Sequence, residues 1–158
     1  MIVRNKTKEK WMCVDFKDLN KESVKDNYPL PNMNFLLQQV TRSACMSMLD
    51  GFSGYNQVLV AEEDREKTTF ITPWETYAYN RIPFGLKNAG ATFHRAMDHA
   101  FKGLIGKSMA DYQDDLTVHS KTRGDHIHHL RKVLDKCRLY VVSLNQKKCI
   151  FFVTQANC

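Results

Sequence analysis

Ser108-Met109-Ala110-Asp111-Tyr112-Gln113-Asp114-Asp115-Leu116-Thr117-Val118-His119 reads as two strands joined at a tight tip. Strand-like alternation enters over 108–112 and leaves over 116–119, so Gln113 and Asp114 fall at the turn. Successive side chains of a flat strand point to opposite faces, so Asp114 and Asp115 reach one common point only if the chain turns there. Two-residue hairpin turns favour residues that tolerate positive φ; neither Gln113 nor Asp114 is glycine, which predicts backbone strain at the tip. An Asp-Asp pair by itself is most often a solvated loop or a helix start. Asp50, 64 residues before Asp114, supplies a third acid in Leu49-Asp50-Gly51-Phe52-Ser53-Gly54-Tyr55. Magnesium takes few protein carboxylates and keeps its other positions for water and substrate phosphates. Three carboxylates from two chain segments therefore suit a two-metal clamp for phosphoryl transfer.

Outward from the hairpin, the pattern predicts strands over 11–16 and 44–50, and a strand pair over 67–72 and 77–82 around Pro73-Trp74-Glu75-Thr76. A short helix is expected over 32–40, after Tyr28-Pro29-Leu30-Pro31. Another is expected over 91–104, capped by Asn88, with Phe93, Met97, Ala100, Phe101 and Leu104 on its buried side. Ile127, Leu130, Val133, Leu134 and Cys137 recur at helical spacing in a third helix over 125–140, and a strand pair over 143–153 closes the chain. This alternation predicts an α+β fold: a ferredoxin-like antiparallel sheet, helices on one face, acids on the open face.

A chain of 158 residues with 43% hydrophobic content can bury one core. The net charge of +6 and a pI near 9.1 suit contact with a phosphate backbone, with Arg4, Lys6, Lys8 and Lys10 and the later Lys147 and Lys148 as candidate contacts. No stretch reaches the roughly 18 apolar residues of a membrane span, so no membrane partner is expected. Cys13, Cys45, Cys137, Cys149 and Cys158 lack CxxC spacing, which argues against a zinc ribbon and predicts reduced thiols and an intracellular setting. His126 and His129 share a helix face, but the sequence offers no third zinc ligand beside them; a solvent-facing or strand-capping role is expected.

Six blocks then occur in one order: Met12-Cys13-Val14-Asp15-Phe16-Lys17-Asp18-Leu19-Asn20-Lys21, Asn27-Tyr28-Pro29-Leu30-Pro31, Leu49-Asp50 through Gln57, Lys67-Thr68-Thr69-Phe70, Pro83-Phe84-Gly85-Leu86-Lys87-Asn88-Ala89 and Tyr112-Gln113-Asp114-Asp115. In content and order they resemble the reverse transcriptase of gypsy-type LTR retrotransposons, across residues 11–148. The resemblance implies the palm of a polymerase plus partial fingers, with about 1–43 and 56–90 fingers-like and about 44–55 and 91–158 palm-like. It also implies that the thumb and ribonuclease H parts of a Pol polyprotein lie elsewhere, so a fingers-palm fragment without a thumb is expected.

By the same resemblance, Asp50, Asp114 and Asp115 are the catalytic acids and the ligands of two Mg2+ ions, with Mn2+ as a substitute. Gly51, Phe52, Tyr55, Phe84, Gly85 and Gln113 fall at nucleotide-binding positions, Tyr55 being the residue that lies under the sugar and rejects a 2′ hydroxyl. Tyr112, Lys147 and Lys148 fall on the primer-template side. The implied partners are an RNA or DNA template with its primer and deoxynucleoside triphosphates. The implied location is a cytoplasmic particle, with the nucleus as the alternative.

Several positions depart from the family pattern. Trp11 stands where an arginine is common and Glu75 where a glycine is usual. Val24, His94, Val141, Gln146 and Phe152 stand in for proline, glutamine, glycine, proline and glycine, and Asp111 for an apolar residue. Such changes resemble those of a decaying genomic copy. Three readings stay open: an RNA-directed DNA polymerase domain, a silent remnant that only binds nucleic acid, and a structural subunit that dimerises through exposed apolar area.

Overall fold

The computed structural model describes residues 2–4, 10–29, 31–52, 54–112 and 115–154. In chain order the elements are β1 (Ile2–Arg4), β2 (Lys10–Met12), α1 (Lys17–Glu22), α2 (Met33–Thr41), β3 (Cys45–Asp50), α3 (Glu62–Arg65), β4 (Phe70–Ile71) and β5 (Thr76–Tyr77). They continue with α4 (Ala89–Ala100), β6 (Met109–Tyr112), β7 (Asp115–Ser120), α5 (Arg123–Leu139) and β8 (Ile150–Thr154). An antiparallel sheet in the order β6-β7-β3-β8 forms the centre, and β1-β2 and β4-β5 make two small hairpins.

Period-2 burial shows how the sheet was written into the sequence. Cys45, Ser47 and Leu49 of β3 and Leu116, Val118 and Ser120 of β7 are buried on the helix-covered face. Asp50 and Asp115 take the opposite parity and face away from the helices. The core on the covered face joins Leu49, Leu116 and Val118 to Phe93, Met97, Ala100 and Phe101 from α4 and its exit turn, and to Leu130, Val133 and Cys137 of α5. The α+β palm architecture expected from the sequence is what forms.

The ends of elements move where local chemistry intervenes. The strand expected over 11–16 stops at Met12; the Asp15 carboxylate accepts the Lys17 N–H at 3.0 Å and starts α1, a helix the pattern had not announced. The helix expected over 91–104 runs from Ala89 to Ala100, because Gly103 at φ +86° turns the chain before Leu104. Asn88 makes no side-chain cap there; its carboxamide binds a distant segment instead. Of the strand pair expected over 143–153 only β8 forms, paired with β3, while Leu144 makes a single bridge to Gly51. The pair expected over 67–72 and 77–82 shrinks to β4 and β5. Glu75 sits in the turn between them without positive φ, exchanging hydrogen bonds with Thr72, so the turn tolerates its side chain.

Two departures from the family pattern become structural facts. Val141 and Phe152 are the non-glycine residues with positive φ among the described residues, at +56° and +57°. Val141 occupies the left-handed position after α5, where its N–H donates to Arg138 O at 3.3 Å and the Val142 N–H donates to Cys137 O at 2.8 Å. That is the double closure for which glycine is the usual residue.

His126 is fully buried and not solvent-facing, and Ile127 is exposed, so the inner stripe of α5 is His126, Leu130, Val133 and Cys137. Burial is tolerated because both ring nitrogens are partnered: Nε2 lies 2.7 Å from Ser47 Oγ and Nδ1 lies 3.0 Å from Ser120 Oγ. Phe152 N–H donates to the same Ser47 Oγ at 3.2 Å, and the Phe152 ring meets the imidazole edge-on at 5.2 Å. With both nitrogens in use, His126 has no lone pair left for zinc.

Candidate active site

The ladder ends of the sheet build the site. Asp50 is the last residue of β3 and lies opposite Asp115, the first of β7; Asp115 in turn lies opposite Tyr112, the last of β6. Directly opposed residues of antiparallel strands share a face, with Cβ atoms about 4.5–5.5 Å apart. Asp50, Asp115 and Tyr112 therefore form one row across three strands on the open face, Asp115 exposed and the other two half-buried. Gln113 and Asp114 lie outside the described residues, as does the strain expected at the hairpin tip.

The segment after Asp50 is laced to the corner that follows α5. Asn145 N–H donates to Asp50 O at 2.8 Å, and Phe52 N–H donates to Ser143 O at 2.9 Å. Gln57 locks this contact: its Nε2 donates to Phe52 O and Ser143 O, and its Oε1 accepts the Ser143 N–H at 2.6 Å. The backbone of Gly51 and Phe52 is thus held beside the acids, with the Phe52 ring exposed. Lys148 points at the acid row, with Nζ 3.3 Å from Asp50 Oδ2; Lys147 is exposed.

Tyr55 follows in a 3-10 turn over Gly54–Gln57 and is wedged between two rings. Phe84 meets it edge-on at 5.8 Å and Phe93 of α4 at 5.5 Å. Tyr55 and Phe84 are thus in contact, with Gly85 next to Phe84 in the chain. Gly85 has φ +99°, a conformation that an L side chain strains to adopt. The opposite face carries a second pair: Asp111 lies opposite Leu116 and is buried toward α4, where His94 Nδ1 stands 3.5 Å from its Oδ2. Neither Asp111 oxygen makes a hydrogen bond among the described residues. Desolvation pushes the Asp111 carboxyl above the usual carboxylate range, opposed by the His94 imidazole. Asp111 thus faces the core and is no competitor for a metal on the open face.

Hard carboxylate oxygens at an open sheet end fit a divalent cation, and the Lys148 ammonium already answers the charge of Asp50. Among the described residues no group of three or more His, Cys, Asp or Glu could hold a metal; Asp114, the remaining member of the expected set, is outside them. Sequence reasoning missed Gln57 and Asn20 as organisers. Their partners lie 86 and 65 residues away, a distance that leaves no local signature.

A sheet with acids at one end and helices behind is the palm class of polymerase domain. The family model described as reverse transcriptase (RNA-dependent DNA polymerase) matches residues 3–158. The chain belongs to the reverse transcriptase family. It is 38% identical over 144 residues to the retrovirus-related Pol polyprotein from transposon gypsy of Drosophila melanogaster, covering 90% of this chain and 14% of that protein. The Pol polyprotein from transposon 412 of the same organism is 37% identical, with 97% and 12% covered. The enzymatic polyprotein of cauliflower mosaic virus (strain Strasbourg) is 38% identical, with 94% and 22% covered. The chain thus spans a quarter or less of these relatives. In fold it is similar to the foamy viral protease-reverse transcriptase in complex with RNA/DNA hybrid, at TM-score 0.82 and 20% identity over 95% of this chain and 20% of that one. The form of that enzyme in complex with double-stranded DNA, named dRH, gives 0.86 over 97% and 27%.

Proposed function

We propose that this chain carries the nucleotidyl-transfer centre of an RNA-directed DNA polymerase, adding deoxynucleotides to a primer 3′ hydroxyl on an RNA or DNA template. The observation that carries the reading is the register that sets Asp50 opposite Asp115 on the open face of the sheet. With Asp114 they are the proposed ligands of two Mg2+ ions, replaceable by Mn2+. Bound there, the ions would neutralise charge on the triphosphate and favour attack by the primer hydroxyl.

The chain's own residues bind and orient. Gly51 and Phe52 offer backbone to the triphosphate; Tyr55, backed by Phe84 and Phe93, limits the room beside the sugar; Gly85 and Gln113 complete the nucleotide pocket. Tyr112 borders the primer end, and Lys147 takes primer-template phosphate. Lys148 holds Asp50 until substrate arrives and then turns to phosphate. The fingers-like parts are residues 1–43 and 56–90, the palm-like parts 44–55 and 91–158. The activity requires thumb and ribonuclease H parts from the longer polyprotein.

Primer extension with Mg2+ and deoxynucleotides, by the chain joined to those parts, tests this: Asp50→Asn and Asp114→Asn each lower the rate by about a hundredfold or more. Activity that survives both substitutions defeats the proposal. A silent remnant that binds nucleic acid without synthesis is the alternative, favoured by the left-handed Val141 and Phe152. Salt-dependent primer-template binding with no extension by the parent chain supports that alternative.

A further inference from the structure

We infer that Asn20, which lies outside the nucleotide pocket, positions it and sets its discrimination between deoxyribose and ribose; this rests on the nucleotidyl-transfer reading. Residues 82–88 carry Phe84 and Gly85 yet belong to no helix or strand, so their place is set from outside. Asn20 of α1 supplies the hold. Its Nδ2 donates to Gly85 O at 2.7 Å, and its Oδ1 accepts the Lys87 N–H at 2.7 Å. One carboxamide thus brackets Leu86 and uses both of its polar ends. A flip of the carboxamide would set oxygen against the Gly85 carbonyl and NH2 against the Lys87 N–H, so the bracket has one orientation.

The grip is reciprocal. Asn88 Nδ2 donates to Val24 O at 2.8 Å and Asn88 Oδ1 accepts the Asp26 N–H at 3.0 Å, while Lys87 Nζ donates to Ser23 O. Farther along, Arg95 of α4 binds Asp26 at 2.7 Å and stacks over the Tyr28 ring. The segment from α1 through Tyr28 is therefore fixed to α4, and Asn20 transmits that anchorage to the Gly85 carbonyl. Of the two rings that wedge Tyr55, Phe93 is held within α4, whereas Phe84 directly precedes the Gly85 carbonyl that Asn20 binds. Loss of the bracket loosens the backbone next to one wall behind Tyr55 and leaves the other in place.

Single-nucleotide extension kinetics with deoxy- and ribonucleotides test the inference in the full chain joined to its thumb and ribonuclease H parts. Asn20→Ala lowers the deoxy-over-ribo ratio of kcat/KM by about tenfold and raises the deoxynucleotide KM. Its kcat stays within about threefold of the parent. Asn20→Asp, which keeps the acceptor for Lys87 but sets an oxygen against the Gly85 carbonyl, shows the same loss and serves if the alanine variant does not fold. Added to Phe84→Ala, Asn20→Ala changes the ratio no further, because it acts through that ring. A folded Asn20 variant with the parent ratio, or full additivity with Phe84→Ala, overturns the inference. A parent chain that extends no primer when joined to its thumb and ribonuclease H parts refutes the reaction reading instead. The positioning claim is then judged by amide exchange: Asn20→Ala must speed exchange over 84–87 and around Tyr55 while the β3 and β7 strands keep the parent rate. Unchanged or uniformly faster exchange overturns it.

Discussion

Replacing Val141 by glycine should make this protein more stable, although it removes three carbons. Val141 sits at φ +56° in the left-handed position that closes α5, and its side chain is 80% exposed, so truncation forfeits little buried area. An L residue in that conformation is disfavoured by about 1–2 kcal/mol, and a β-branched one falls at the upper end. Glycine gives back about 0.5–1 kcal/mol through the extra freedom of the unfolded chain. The net expectation for Val141→Gly is a gain of about 1 kcal/mol, or roughly 2–4 °C in Tm for a chain of this size. Urea melts followed by circular dichroism, with an unchanged m-value, measure it directly. Val141→Ala keeps the Cβ and gains little. Phe152→Gly relieves the same kind of strain but removes the ring that packs on His126, so it destabilises. A Val141→Gly protein that melts at or below the parent refutes the reasoning.

Burial, and secondly the neighbouring His129, holds the His126 imidazole below its ordinary value of 6.5, and burial does the same to His119. For a histidine whose folded pKa is depressed, the folded state resists protonation, so stability is intact above the unfolded value and falls as pH drops below it. Melting midpoints of the parent should therefore decline from about pH 7.5 to about 5.5, and less steeply in His126→Gln. An equal slope in the two proteins tells against the buried imidazole as the cause. The His94 and Asp111 pair should couple in a double-mutant cycle by about 1–2 kcal/mol: His94→Gln alone destabilises by stranding the buried carboxyl, and Asp111→Val beside it recovers the loss. Strict additivity dismisses the pairing. Lys148→Met removes the ammonium from Asp50, so Mn2+ should bind about two- to fivefold more tightly at low salt, with the difference shrinking as salt rises. Equal affinities discount that contact.

What the sequence disclosed and what it hid divide along a physical line. The palm sheet was legible because period-2 alternation places Leu49 and Leu116 inward and Asp50 and Asp115 outward, and tertiary packing keeps that parity. Glycine-favouring positions were legible as departures at Val141 and Phe152, and both prove left-handed. Element ends were less so. Asp15, inside an expected strand, accepts the N–H of the first residue of a helix, and Gly103 stops another four residues early. The direction of a single long side chain was not readable at all: Lys148 meets Asp50, Gln57 bridges to Ser143, and Asn88 leaves its helix to bind residues 24 and 26. Such contacts are chosen by three-dimensional proximity across 60 to 100 residues, which no local pattern encodes. His126 was misplaced outward because a polar residue on a helix signals the solvent face unless its partners, here Ser47 and Ser120, are known to wait inside.

The central claim is that one acid from β3 and one from the start of β7 serve a common divalent site. Water-proton relaxation in a Mn2+ titration, with a deoxynucleoside triphosphate present, measures that site without requiring turnover. Asp50→Asn and Asp115→Asn should each weaken binding by about tenfold or more, and the double variant should weaken it little beyond either single one. Affinities equal to the parent in both single variants would contradict the claim.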